Sequence, residues 1–142
     1  MIKHIANAVW KGTVKEGNGQ ITTRSKVLEN TQYSFKSRFE NGAGTNPDEL
    51  LAASHAGCFA MATSLLLGKE GYTPESLEAK CELTMNPDKL EITASHLTLH
   101  ARIPNISNAK FLEIANHAKE ACPISKVLNC TITLDASLAS AQ

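Results

Sequence analysis

This sequence has few aromatic residues and no net charge. Aromatic side chains make up 5% of the 142 residues, and 14 Lys and Arg residues balance 14 Asp and Glu residues. The core must therefore be built mainly from aliphatic side chains. The charge balance argues against a nucleic-acid partner and against a polybasic membrane-binding surface, because both need an excess of positive charge.

Cysteine is scarce as well, and no targeting segment is visible. Four cysteines in 142 residues are too few for a disulfide scaffold, and a chain of this length can bury a core without one.

The opening residues, MIKHI, lack the apolar stretch of a secretory signal. Residues 50–68 carry no charge, but Ser54, His55 and Thr63 interrupt them, so we expect a core helix and no membrane span. The expected location is cytoplasmic, where cysteines stay reduced.

Several common site motifs are also missing. The sequence has no phosphate-binding loop, no Gly-x-Gly-x-x-Gly and no Gly-x-Ser-x-Gly, so nucleotide cofactors and serine hydrolase chemistry have no anchor. Cys-x-x-Cys and His-Glu-x-x-His are absent too. His96 and His100 lie on one face of a predicted strand, but their separation of roughly 13 Å is too large to share an ion. We therefore expect no metal and no cofactor.

The apolar patterns predict an α+β fold in a single domain spanning residues 1–142. An Asn-Gly turn within residues 16–19, with apolar alternation around it, predicts an antiparallel meander at the start of the chain. The predicted strands are residues 5–14, 20–24, 32–39, 77–85, 92–103 and 130–138. The predicted helices are residues 47–70, 108–121 and 123–128, and the last four residues are expected to fray.

The first predicted helix is long and apolar. Asn46 is its expected cap, Pro47 its first residue and Glu49 the partner that completes a capping box, and Gly71 ends it. Because it is apolar almost all round, we expect most of its faces to be buried. A chain of 142 residues has little material to surround such a helix, so we expect a dimer.

Two cysteines are candidates for chemistry. Cys58 lies on the long helix with His55 three residues earlier on the same face, where a histidine can stabilise a thiolate. Alternatively, Cys58 is a small buried hydrophobic residue, and His55 is a hydrogen-bonded histidine of the core. Cys122 precedes a helix start whose N–H groups favour a thiolate, or it is a buried residue at a helix break. Cys81 and Cys130 follow strand alternation and are expected to be structural.

Three separated segments resemble the OsmC/Ohr family, whose names stand for osmotically inducible protein C and organic hydroperoxide resistance protein. The segments are YSFKSRFE at 33–40, GTNPDELLAASHAGCFAMA at 44–62 and CPISKVL at 122–128. WKG at 10–12 and ITLD at 132–135 also fit, so the resemblance covers essentially the whole chain. The histidine before Cys58 and the Arg-Phe-Glu run resemble the OsmC branch.

The resemblance implies an OsmC-like fold, with antiparallel sheets around a long buried central helix in an intertwined homodimer. It implies thiol-dependent reduction of organic hydroperoxides, and more weakly of hydrogen peroxide, in oxidative and osmotic stress defence. By position, Cys58 matches the peroxidatic cysteine, Cys122 the resolving cysteine, and Arg38 and Glu49 the residues that assist the attack. The expected partners are a second copy of the chain, the hydroperoxide and an external dithiol reductant, which in the family is often of the lipoyl type.

The roles that the resemblance assigns make chemical sense. Arg38 would stabilise the thiolate and Glu49 would hold the guanidinium; without the resemblance, Arg38 is explained as a solvated charge and Glu49 as part of a helix cap. Glu49 and Cys58 stand nine residues apart on one helix, about 13–14 Å along its axis and half a turn out of phase. They cannot meet directly, so either Arg38 bridges them or two chains share the site.

Two readings from other classes remain open. One is a small-molecule or lipid-binding dimer whose apolar helices line a pocket and whose cysteines are not catalytic. The other is a cysteine acyl-transfer enzyme, for which His55 is available but no orienting acid stands out.

Overall fold

The structure is a computed structural model that describes residues 1–139. This part of the chain forms two three-stranded sheets and four helices. The predicted α+β class is confirmed. The chain divides into two compact units, Met1–Leu50 and Leu51–Gln142. The predicted fraying of the last four residues falls mostly on 140–142, outside the described residues.

The first unit contains the predicted antiparallel meander. Strands β1 (Ala6–Lys11), β2 (Asn18–Thr23) and β3 (Thr31–Tyr33) pair in the order β1-β2-β3. The predicted Asn-Gly turn is wrong: Asn18 and Gly19 lie inside β2, and residues 12–17 form the turn. A side chain at Gly19 would overlap the flanking Trp10 and Tyr33 rings at 2.7 and 2.4 Å, so the glycine serves ring packing there.

A short helix, α1 (Phe35–Phe39), follows β3 where the sequence alternation predicted a continuing strand. The physical reason is a reciprocal cap. The Ser37 N–H donates to the Ser34 hydroxyl at 3.2 Å, and the Ser34 N–H donates to the Ser37 hydroxyl at 2.8 Å. This capping box begins a helix, and it places Arg38 on a helical turn.

The long helix α2 runs from Pro47 to Lys69 and confirms the predicted bounds within one residue. Half of the predicted capping box forms, because the Glu49 N–H donates to Asn46 Oδ1 at 2.7 Å. The Glu49 carboxylate does not return to the cap and instead accepts the Thr45 hydroxyl at 2.8 Å. Gly71 ends the helix at φ +85°, a left-handed conformation that glycine adopts without strain.

One stripe of α2 is buried, not most of its circumference as predicted. The buried residues recur every four positions, at His55, Phe59, Thr63 and Leu67. On other faces Met61 is 76% and Leu65 61% exposed, because a single chain covers only one side of this helix. By length and composition alone α2 is apolar enough to cross a membrane, but its buried stripe belongs to a core of sheet and helix residues.

The second unit carries a sheet of strands β4 (Ser76–Asn86), β5 (Glu91–Arg102) and β6 (Thr131–Leu138) in the order β4-β5-β6. Strands β4 and β5 are antiparallel, but β5 and β6 run parallel, which corrects the expectation of purely antiparallel sheets. The reason is the long crossover between them, formed by helices α3 (Asn108–Ala121) and α4 (Pro123–Val127). The α3 bounds match the prediction, with Ser107 as its cap. Cys122 stands at the junction of the two helices.

Candidate active site

Arg38 is held by Asp48 in the first unit. Its Nε and Nη2 atoms donate to the two carboxylate oxygens of Asp48 at 3.1 and 3.2 Å, a bidentate pair of the kind that fixes a guanidinium in one orientation. The carboxylate of Glu49, the partner expected from the resemblance, is bonded to Thr45. In this structure Asp48 therefore has the orienting role, and sequence reasoning missed it, because Asp48 looked like an ordinary acidic residue of a first helical turn.

Arg38 also lines an apolar pocket of about 250 Å³ within the first unit. Four of the chain's seven aromatic residues surround it, namely Trp10, Tyr33, Phe35 and Phe39. The Arg38 guanidinium carbon lies 5.5 Å from the centre of the Phe39 ring, a cation–π distance. An aromatic wall beside a cation suits a ligand with an organic body and a polar head.

Cys58 and Cys122 meet in the second unit. Cys58 is half-buried on α2 and Cys122 is fully buried, and the Cys122 side chain lies close enough to raise the pKa of Cys58 by hydrogen bonding. The backbone of Ile124, on α4, also hydrogen-bonds the Cys58 sulfur. The structure thus brings together the two cysteines that the sequence singled out, although 64 positions separate them.

The environment of Cys58 favours the thiol over the thiolate. Burial raises the pKa of Cys58, and the hydrogen bond and charge of Cys122 raise it further, while the hydrogen bond with the Ile124 backbone lowers it by less. Because a thiolate is the nucleophilic form of cysteine, this environment by itself disfavours the reactive form near neutral pH.

His55 is fully buried, and both of its ring nitrogens are occupied. Nδ1 lies 2.7 Å from the Ser95 hydroxyl and Nε2 lies 2.7 Å from the Ser125 hydroxyl. Burial lowers the pKa of His55, which favours a neutral ring. Of the two alternatives left open by the sequence, the hydrogen-bonded core histidine is the one observed. Sequence reasoning missed both serines, since no local pattern marks contacts across 40 and 70 positions.

Of the other two cysteines, Cys81 lies on β4, whereas Cys130 lies just outside the sheet. The Cys81 sulfur lies 3.1 Å from the Ser95 hydroxyl, and Cys130 directly precedes β6. Burial raises the pKa of Cys130, with a smaller contribution from the charge of Cys81. Cys130 lines a broad surface depression of about 640 Å³ that contains none of the four predicted site residues. Within residues 1–139, no group of three His, Cys, Asp or Glu side chains is arranged to hold a metal ion.

Comparisons with known proteins show the family of this chain. The family model described as OsmC-like protein matches residues 40–137. The chain is 42% identical to Peroxiredoxin OsmC of Escherichia coli over 137 residues, 94% of each protein. It is 29% identical to organic hydroperoxide resistance protein OhrB of Bacillus subtilis over 118 residues, 82% of this chain and 86% of that protein. An OsmC-like protein structure from Vibrio cholerae aligns at a TM-score of 0.74 with 17% identity, covering 96% of this chain and 100% of that one. The protein belongs to the OsmC-like family.

Proposed function

We propose that the protein is a cysteine-based peroxidase that reduces organic hydroperoxides, and more weakly hydrogen peroxide, in defence against oxidative and osmotic stress. The observation that carries this proposal is the contact between Cys58 and Cys122. Two relatives, one named a peroxiredoxin and one named an organic hydroperoxide resistance protein, also support the proposal. The aromatic pocket beside Arg38 favours an organic hydroperoxide over the smaller hydrogen peroxide.

The reaction proceeds in three balanced steps. The Cys58 thiolate attacks one peroxide oxygen, the O–O bond breaks, and the other oxygen leaves as an alcohol after taking a proton. The resulting sulfenic acid condenses with the Cys122 thiol, forming a disulfide and releasing water. An external dithiol, proposed to be of the lipoyl type, then reduces the disulfide by thiol–disulfide exchange and is itself oxidised.

Arg38 and Glu49 assist the first step in this proposal. The guanidinium offsets the raised pKa of Cys58 and stabilises the charge that develops on the leaving oxygen. Asp48 keeps the guanidinium oriented. Glu49, the residue after Asp48 on α2, also assists in this proposal, and its carboxylate accepts a hydrogen bond from the Thr45 hydroxyl.

The working unit in this proposal is a homodimer, with the whole chain acting as one domain in the cytoplasm, where thiols stay reduced. The exposed apolar side chains of α2, Met61 and Leu65, are the surface that a second copy would cover. Replacing Leu65 by Glu should yield a monomer in light scattering. Val27→Glu, an equal change at a residue that is 84% exposed, should leave the dimer intact.

A turnover assay tests the function. Reduced protein is mixed with cumene hydroperoxide and dihydrolipoamide, and peroxide loss is followed. Wild type and Cys130→Ser should consume peroxide repeatedly, whereas Cys58→Ser should not. Loss of peroxide that is equal in wild type and Cys58→Ser would overturn the proposal, and binding of the hydroperoxide without consumption would favour the small-molecule-binding alternative.

A further inference from the structure

The buried imidazole of His55 joins the helix that carries Cys58 to the helix that Cys122 begins. His55 lies on α2, and its Nε2 is 2.7 Å from the hydroxyl of Ser125 on α4. Ser125 is 9% exposed and His55 is fully buried. A hydrogen bond shielded from water to this degree is costly to leave unmade, because a buried polar group without a partner is destabilised.

The spacing of these residues ties the hydrogen bond to the thiol pair. His55 precedes Cys58 by three residues, and Ser125 follows Cys122 by three. Each member of the hydrogen bond therefore stands about one helical turn from one member of the cysteine pair. A bond between His55 and Ser125 consequently sets the distance between the segments that present the two sulfurs.

Helix α4 depends on such an anchor. It has five residues, too few to be stable as an isolated helix. Ser125 is its buried residue, and the apolar Val127 is 73% exposed. The buried side chain of this helix is therefore polar, while its apolar Ile124 is half-buried.

The opposite ring nitrogen holds the imidazole in place. Nδ1 is 2.7 Å from the Ser95 hydroxyl on β5, and that hydroxyl also contacts the Cys81 sulfur at 3.1 Å. In a neutral imidazole one nitrogen donates and the other accepts, and a serine hydroxyl can do either. Both sides of the ring are therefore satisfied, and the ring presents Nε2 to α4 from a fixed position on the sheet.

We propose that His55 is a positioning residue for the resolving step, because its hydrogen bond to Ser125 holds Cys122 beside Cys58. This inference rests on the proposed peroxidase function. When Cys58 becomes a sulfenic acid, a docked Cys122 thiol attacks it at once, forming the disulfide and releasing water. When α4 is undocked, the sulfenic acid persists until a second peroxide oxidises it to the sulfinic acid and leaves as alcohol.

The test measures how the oxidised Cys58 divides between disulfide and sulfinic acid. Reduced protein, free of added dithiol, is treated with increasing cumene hydroperoxide, and both products are quantified by intact-mass spectrometry. Ser125→Ala should raise the ratio of sulfinic acid to disulfide about tenfold, the factor expected when one buried hydrogen bond is lost. The ratio is compared at equal extents of Cys58 oxidation, because undocking α4 also removes hydrogen bonds that shift the pKa of Cys58.

Two matched variants separate positioning from general stability. Ser95→Ala removes the hydrogen bond at the other ring nitrogen and leaves the direct bond to Ser125, so the product ratio should rise less than in Ser125→Ala, even if the melting temperature falls further. His55→Gln keeps a side-chain amide that can reach Ser125, and His55→Leu does not. The glutamine variant should therefore form less sulfinic acid than the leucine variant, and this pair decides the matter if Ser125→Ala does not fold.

The outcomes distinguish this inference from the function on which it rests. A wild-type disulfide with an unchanged product ratio in Ser125→Ala overturns the positioning role alone. Equal ratios in Ser125→Ala and Ser95→Ala, or in the two His55 variants, do the same. Unoxidised Cys58 in the wild-type protein would remove both the peroxidase proposal and the role of His55.

Discussion

Residues 1–50 hold Arg38, half-exposed and paired with Asp48, and contain no cysteine, whereas all four cysteines lie in residues 51–142. The first unit thus carries an oriented positive charge. The second carries two thiols in contact, beside a buried imidazole whose nitrogens are already bonded to serines. Charge and nucleophile are placed in different parts of the chain.

This contrast shows what each part does not supply. Burial and Cys122 raise the pKa of Cys58, so the thiol pair by itself resists forming the thiolate that attacks peroxide. Arg38 provides a charge without a nucleophile. Peroxide reduction should therefore depend on both parts, and variants in each should fail in different ways.

The largest expected effect is on the thiol side. With dithiol present, wild type should turn over repeatedly. Cys122→Ser should consume one equivalent of peroxide for the first oxidation of Cys58 and one more for each further oxygen, because the sulfenic acid has no partner thiol. Cys58 should then gain further oxygens, which mass spectrometry detects. Repeated turnover without overoxidation would show that Cys122 has no resolving role, and Cys130→Ser is the matched control that should behave like wild type.

Removing the charge should have the next largest effect. Arg38→Ala should lower kcat/KM about 100-fold, the loss typical of a missing electrostatic contact in a transition state. The pH at which the rate is half-maximal should move upward, because nothing then offsets the raised pKa of Cys58. Stopped-flow oxidation across a pH series measures both, with Arg102→Ala at the exposed end of β5 as the control. An unmoved pH profile would refute the link between charge and thiol.

A smaller effect concerns stability at acid pH. Burial lowers the pKa of His55 below its ordinary value of 6.5, so the unfolded chain binds a proton that the folded chain rejects. The stabilisation is present above pH 6.5 and is lost as the pH falls below it, by at most about 1.4 kcal/mol per pH unit. Urea unfolding at several pH values should show this slope in wild type. His55→Gln should have a shallower slope; an equal slope in both proteins would contradict a buried neutral imidazole.

The smallest effect concerns the two carboxylates near Arg38. The hydrogen bonds predict a coupling free energy of about 0.5–1 kcal/mol between Arg38 and Asp48, the range of a partly exposed ion pair. The coupling between Arg38 and Glu49 should be close to zero, although Glu49→Gln is proposed to lower activity. Double-mutant cycles on urea unfolding measure both terms. A larger coupling with Glu49 would mean that Arg38 pairs with that residue instead.

The sequence predicted correctly those elements whose ends are marked by a capping residue or a glycine. Helix α3 matches its predicted bounds because Ser107 caps it and its apolar stripe has helical spacing, and α2 ends at Gly71 as expected. The segment after Tyr33 was predicted wrongly, since its alternation favoured a strand while the reciprocal serine cap at 34 and 37 favoured a helix. The Asn-Gly turn failed because Gly19 is needed between two aromatic rings.

The site was less accessible to such reasoning. Residue types alone suggested Cys58 and Cys122 as candidates. The expectation that the two cysteines pair came from the family resemblance, and in the structure Cys122 is close enough to raise the pKa of Cys58. The serines that bind His55 lie 40 and 70 positions away, and serine carries no periodic signature. Asp48 and Glu49 are adjacent acids in one helical turn, so only the folded chain shows which of them holds Arg38.

The most direct test of the account is the fate of the thiols after one turnover. Reduced protein is treated with one equivalent of cumene hydroperoxide, digested under conditions that prevent thiol exchange, and its cysteines are mapped by mass spectrometry. The expected product is a Cys58–Cys122 disulfide, with Cys81 and Cys130 still reduced. Four unchanged thiols, or a disulfide that joins any other pair, would contradict it.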